Sequence, residues 1–238
     1  MTLPVVLLPS LGRGAGDFDA LVAALRAAGF EALALEPPST VPAGSTLHDL
    51  ADLVVAALDE QGWSRVHLVG HAFGQRLARC VVADHPERVA TLTMLAAGGL
   101  VPMEPAIAQS LLACFDESLP ADEHLAHVRL VFFADGNDPA VWAGGWLPAT
   151  AALQHAAVLA TPPGEWTSAA AERVLVVQGV QDACAVPENG RRYVAMHPTI
   201  ATLVEIDSAG HALLPEQPTA VAAAVVQFLG EQERATSS

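Results

Sequence analysis

Apolar positions along this chain follow two rhythms. Short runs in which nearly every residue is apolar alternate with longer stretches where apolar residues recur every three or four positions. The short runs read as strands buried on both faces. The longer stretches read as helices with one buried stripe. On this pattern strands are expected over Val5–Leu8, Glu31–Leu35, Val66–Val69, Ala90–Ala96, Val174–Gly179 and Thr202–Ile206. Helices are expected over Asp17–Ala28, Thr46–Gln61, Gln75–Asp84 and Pro218–Leu229. Strands and helices alternating through short turns predict an α/β fold, a mostly parallel sheet with helices on both faces.

The rhythm breaks between Leu100 and Ser168, where helical patterning is interrupted by prolines and tryptophans. We read 100–168 as a helical cap inserted into a core formed by 1–99 and 169–238. It carries Phe115, Phe132, Phe133, Trp142, Trp146 and Trp166. Trp142, Trp146 and His155 are expected to face an apolar pocket beneath it, while the remaining aromatics pack. The polar tail Glu231–Ser238 is expected to fray.

Gly70-His71-Ala72-Phe73-Gly74 stands between an apolar strand and a helix whose face carries Leu77, Ala78, Val81 and Val82. Strand, tight Gly-x-x-x-Gly turn and helix form the setting of a nucleophile elbow, G-x-S-x-G, but the central residue here is alanine. Two further groups follow in the chain order nucleophile, acid, base. Asp182 lies just past the strand ending at Gly179, and His211 lies in the loop after the strand ending at Ile206. All three fall at carboxyl ends of strands, where parallel sheets gather functional groups.

On these residues the chain resembles the α/β-hydrolase superfamily over essentially its whole length. Leu3–Gly12 resembles the family's first core strand and oxyanion loop, although Pro9-Ser10 stands where His-Gly is usual. Gly210-His211-Ala212-Leu213-Leu214-Pro215-Glu216-Gln217-Pro218 resembles its histidine loop closely. More narrowly, the chain resembles a bacterial branch whose elbow reads Gly-His-Ala-Phe-Gly. The resemblance implies Asp182 as acid and His211 as base. It also implies an oxyanion hole built from the backbone N–H groups of Leu11 and Phe73. Ser10 and His71, flanking this region, are further candidates for substrate contact.

Alanine cannot attack a carbonyl, so three readings are open. His211 and Asp182 act as a general-base dyad on a small, largely apolar carbonyl compound; or Ala72 stands in for the serine of an ester hydrolase; or the chain is a binding module that keeps only the pocket. Retention of an oriented acid–base pair weighs against the last.

Composition narrows the alternatives. The 238 residues suffice for one α/β domain with an insertion. All eleven basic residues are arginine, which removes Schiff-base chemistry, a pyridoxal-phosphate site and a P-loop lysine. A net charge of −15 argues against nucleic acid and anionic membrane surfaces as partners. No run approaches the roughly 20 apolar residues of a membrane span, and no signal peptide is evident. Cys80, Cys114 and Cys184 read as free thiols of a reducing, cytoplasmic compartment, Cys184 as a small hydrophobe.

Two motifs compete and are set aside. Gly12-x-Gly14-x-Gly16, with Glu36 ending the next strand, resembles a dinucleotide fingerprint, but its third glycine is out of register. His124 and His127 share a helical spacing without further metal ligands to join them. No cofactor and no metal are therefore expected. The partner is a small-molecule substrate, with a homo-oligomer left open.

Overall fold

The computed structural model describes residues 2–236. Six strands form one sheet in the order β2-β1-β3-β4-β5-β6. They are β1 (Val5–Leu8), β2 (Ala32–Ala34), β3 (Val66–His71), β4 (Val89–Leu95), β5 (Arg173–Gly179) and β6 (Ala201–Ile206). Every pairing is parallel, with Val5 opposite both Ala32 and His67, and Leu95 opposite both His71 and Val177.

Side chains along each strand alternate between two apolar layers, as the pleat requires. Val6, Leu8, Leu68, Leu92, Met94, Val174 and Val176 pack against α2 (Leu47–Glu60), α3 (Phe73–Asp84) and Tyr193 of α7 (Glu188–Met196). Val5, Leu7, Val69, Leu95, Leu175 and Val177 pack against α1 (Asp19–Ala27) and α9 (Pro218–Thr236). Each such side chain, once fully buried, contributes about 1.5–3 kcal/mol. A capping box starts α2: Thr46 accepts from the Asp49 N–H, and the Asp49 carboxylate accepts from the Thr46 N–H.

The chain leaves β1 in opposite directions, to β2 on one side and, later, to β3 on the other. That reversal opens a crevice at the carboxyl ends of β1 and β3. The loop after Leu8 and the turn at Ala72 therefore face each other across it.

Between β4 and β5 the described residues form no strand but three helices: α4 (Pro105–Ala113), α5 (Ala121–Phe132) and α6 (Pro148–Ala160). Around α4 and α5 lies a third apolar cluster, in which Cys114, Val128, Val131, Phe132, Phe133 and Trp142 meet Cys184 and Ala212 from loops beyond the core strands, while Ala157 of α6 packs into the first layer.

The polar tail departs from expectation. It stays helical to Thr236 because the Glu233 carboxylate accepts from the Leu3 N–H and meets the His67 ring at 3.0 Å. The last two residues of that tail, 237 and 238, lie outside the described residues.

Candidate functional site

β3 turns into α3 at a single residue. Ala72 has φ 50° and ψ −105°, a left-handed conformation that costs a non-glycine residue of order 1–3 kcal/mol. Its N–H is held by the Leu95 carbonyl at 2.9 Å. The flanking glycines are sterically required. A Cβ on Gly70 would overlap the backbone of Gly74 and Gln75, and one on Gly74 would overlap the Leu8 carbonyl. Gly74 thus lets the loop after β1 lie directly on the start of α3. The N–H groups of Leu11, in that loop, and Phe73, first in α3, donate no hydrogen bond among the described residues. They are two unspent donors, from the two sides of the crevice.

Asp182 and His211 come together 29 positions apart in sequence. His211 Nδ1–H donates to Asp182 Oδ2 at 2.9 Å, and both side chains are buried. The rest of the carboxylate is spoken for: Oδ1 accepts from the Ala185 N–H at 2.7 Å, and Oδ2 also accepts from Gln178 Nε2 at 3.0 Å. Three donors fix one carboxylate, which fixes the imidazole tautomer and leaves Nε2 free to take a proton. Burial alone would push the His211 pKa down. The Asp182 charge, helped by the neighbouring Cys184 thiol, outweighs it and holds the pKa well above 6.5.

The histidine loop is clamped. Glu216 accepts from the Gly210 N–H at 2.7 Å, the Ala134 N–H at 2.6 Å and Asn137 Nδ2 at 2.7 Å. Ala212 N–H donates to the Phe132 carbonyl at 2.8 Å. A Cβ on Gly210 would stand 2.6 Å from that same carbonyl oxygen.

The sequence profile of the alpha/beta hydrolase family matches residues 5–224. This chain belongs to that family. Among solved structures, this hydrolase-family chain superposes on the enol-lactonase from Burkholderia xenovorans LB400 with a TM-score of 0.77. The identity is 21%, and the match covers 97% of this chain and 92% of that one. It superposes on a protein provisionally named non-heme bromoperoxidase BpoC, from Mycobacterium tuberculosis H37Rv, with a TM-score of 0.81. There the identity is 20%, over 98% and 93% of the two chains. At these identities the likeness is one of fold. In sequence it is 34% identical, over 97 residues, to a protein of Variovorax paradoxus (strain S110) provisionally named carbamate hydrolase RutD. That match takes in 38% of this chain and 36% of the relative, so the chain spans about a third of that relative's length.

Within this α/β hydrolase, several residues nominated from sequence sit otherwise than expected. His155 is exposed on α6 and leaves the site; its neighbour Gln154 is the buried one, and its Oε1 accepts from the Gly12 N–H at 2.8 Å. The helical face was decided by packing, which the residue types could not show. His71 is fully buried, and its Nε2–H donates to the His211 carbonyl at 2.8 Å. That bond ties the elbow to the histidine loop. Ser10 is buried with no hydrogen bond from its hydroxyl among the described residues. Trp142 is buried 6.2 Å from His71 and Trp146 is partly exposed, while the Arg13 guanidinium lies over both rings at 4.5 and 4.9 Å. Glu36 accepts from the Ala15 N–H at 3.1 Å, so the glycine loop's acid serves the backbone.

Sequence reasoning missed Gln178, Ala185 and Glu216, and the Phe132 ring, which packs 5.7 Å from that of His211. Gln178 did leave a trace, as the polar residue that breaks the apolar run begun at Val174. A cavity of about 230 Å³ opens beside Phe73, lined chiefly by Leu8, Pro9, Leu35, Leu50, Val54 and Leu77. It lies on the Phe73 side of the crevice and does not reach Asp182 or His211.

Proposed function

We propose that this α/β hydrolase acts on a small, largely apolar carbonyl compound, an ester, lactone or similar, through a His211–Asp182 general-base dyad and without covalent attack from residue 72. The observation that carries this reading is the 2.9 Å hydrogen bond from His211 to a carboxylate already held by two other donors. Such an arrangement orients an imidazole for proton transfer.

In hydrolysis, His211 Nε2 removes a proton from water as the water oxygen attacks the carbonyl carbon. The developing oxyanion accepts from the unspent N–H groups of Leu11 and Phe73. The tetrahedral species then collapses, and the imidazolium returns its proton to the leaving oxygen. Asp182 stays ionised and steadies the imidazolium throughout. The apolar cavity beside Phe73 suits the apolar part of such a substrate. The names of the relatives, a carbamate hydrolase and an enol-lactonase, refer to carbonyl compounds. Three free cysteines, all buried, fit a reducing cytoplasmic setting.

A second reading has one observation in its favour. Ala72 occupies a strained turn that alanine itself does not need, as in a serine hydrolase whose nucleophile position holds alanine. The common test is His211→Ala against a panel of p-nitrophenyl esters and lactones. Turnover should fall by about 10²–10⁴. Undiminished turnover would sink the dyad.

A further inference from the structure

Arg76 lies on α3 one turn beyond Ala72 and is partly buried. Among the described residues it is the arginine with no hydrogen bond and no ion pair. Each of the others is engaged with a carboxylate, a carbonyl or another partner. Burial pushes its pKa down, opposed only by the Cys184 thiol, and no carboxylate acts on it. A half-buried guanidinium that meets no protein acceptor and still reaches solvent keeps its donors available to a ligand. Its position favours an anionic partner further, since a cation near the start of a helix opposes the helix dipole.

The surroundings hold this charge in place. The Arg76 guanidinium stands 5.5 Å from the ring centre of Trp166, and that of Arg79 stands 4.7 Å from the same ring. Arg79 spends its donors on Gln75 Oε1 and the carbonyls of Gly98 and Thr167. Two cations therefore flank one indole, and of the two only Arg76 makes no hydrogen bond. Arg76 also borders the dyad. A Cβ on Gly98 would sit 3.9 Å from Arg76 Nη2 and 3.4 Å from the Ala185 Cβ. Ala185 is the residue whose N–H holds Asp182, and Cys184 beside it lies against His211.

We propose that Arg76 is the anchor for a substrate carboxylate, so that the compound handled at the dyad is a small carbonyl acid. This names the substrate class for the site proposed above and rests on that reading for the reacting end only. A single planar guanidinium matches one planar carboxylate in charge and in its paired donors. The other walls, Trp166, Gly98 and Ala185, offer no second free cation to balance a phosphate dianion.

The test is a binding measurement that needs no turnover. Isothermal titration of the full chain with benzoate and benzamide, and with butyrate and butyramide, compares each acid with its neutral isostere. Inorganic phosphate serves as the third probe. Wild-type protein should bind each acid at least about tenfold more tightly than its amide. Arg76→Gln should abolish that ratio, Arg76→Lys should retain part of it, and His211→Gln should leave it standing. Equal binding of acid and amide by wild type overturns the proposal, as does a ratio that survives Arg76→Gln or phosphate binding more tightly than the acids. If Arg76→Gln does not fold, the wild-type ratio decides alone. Loss of turnover in His211→Ala with no acid preference would leave the dyad standing and remove the anchor.

Discussion

His71 Nε2–H donates to the backbone carbonyl of His211 at 2.8 Å, with the two rings 5.6 Å apart. The residue preceding Ala72 thus holds the loop that carries the imidazole. Burial drives the His71 pKa down to about 3, so the ring is a fixed neutral donor at any working pH. His71→Leu should leave the His211 carbonyl without a donor and cost about 1–3 kcal/mol, read by urea denaturation. The wild type should also lose stability as pH falls from 6.5 toward about 3, because the unfolded chain binds a proton that the folded one refuses. The leucine variant should lack that share of the acid sensitivity.

The pH dependence of activity should run in the same direction for a different reason. Asp182 and Cys184 raise the His211 pKa above 6.5, and only neutral imidazole serves as a base. The ratio kcat/KM should therefore rise with pH through that raised value. Asp182→Asn should move the rising limb to lower pH and reduce its height by about 10²–10⁴. The stability linked to protonated His211 is fully present below 6.5 and fades as pH rises through the folded pKa. A pH–rate profile of both proteins checks shift and height together.

Residue 72 can be probed for strain and for chemistry separately. Ala72→Gly should raise stability by up to about 1 kcal/mol, since φ 50° suits glycine and the strain relieved exceeds the entropy added to the unfolded chain. Ala72→Ser decides between the two readings of the site. Burst hydrolysis of p-nitrophenyl esters would favour the serine-hydrolase reading. Unchanged rates would favour chemistry built around the dyad.

Glu216 should prove structural at a distance from any reacting atom. Its carboxylate gathers three N–H donors, two from the backbone and one from Asn137. Glu216→Ala strands the two backbone N–H groups, Asn137 keeping its bond to the Ser208 carbonyl, and should cost at least about 2 kcal/mol. Glu216→Gln should recover part of the loss. Thermal unfolding of the pair measures it.

The strand positions and the parallel sheet, the tight turn at Ala72 and the candidacy of Asp182 and His211 were legible in the sequence. Each is written locally, in a buried strand, a glycine spacing or a loop just past a strand. The turn carries its own reason, because Gly70 and Gly74 are the residues that let strand, helix and the β1 loop touch. Who supports the pair was not local. Gln178 reaches Asp182 within one strand end, but Glu216 meets Ala134 across 82 positions and Gln154 meets Gly12 across 142. Residue type names a donor or acceptor without naming its partner. The same holds for His155 and Gln154, neighbours on α6 whose packing sends one to solvent and the other inward. It holds for the polar tail, kept helical by Glu233 bonding to the first strand's lead-in. Arg76 drew no attention in the sequence; the fold half-buries it beside Trp166 and gives it no protein acceptor. The sequence by itself determined which chemistry could stand at the carboxyl edge of the sheet. Tertiary structure alone decided which groups are satisfied and which are left open, because hydrogen-bond partnership is set by distance in space.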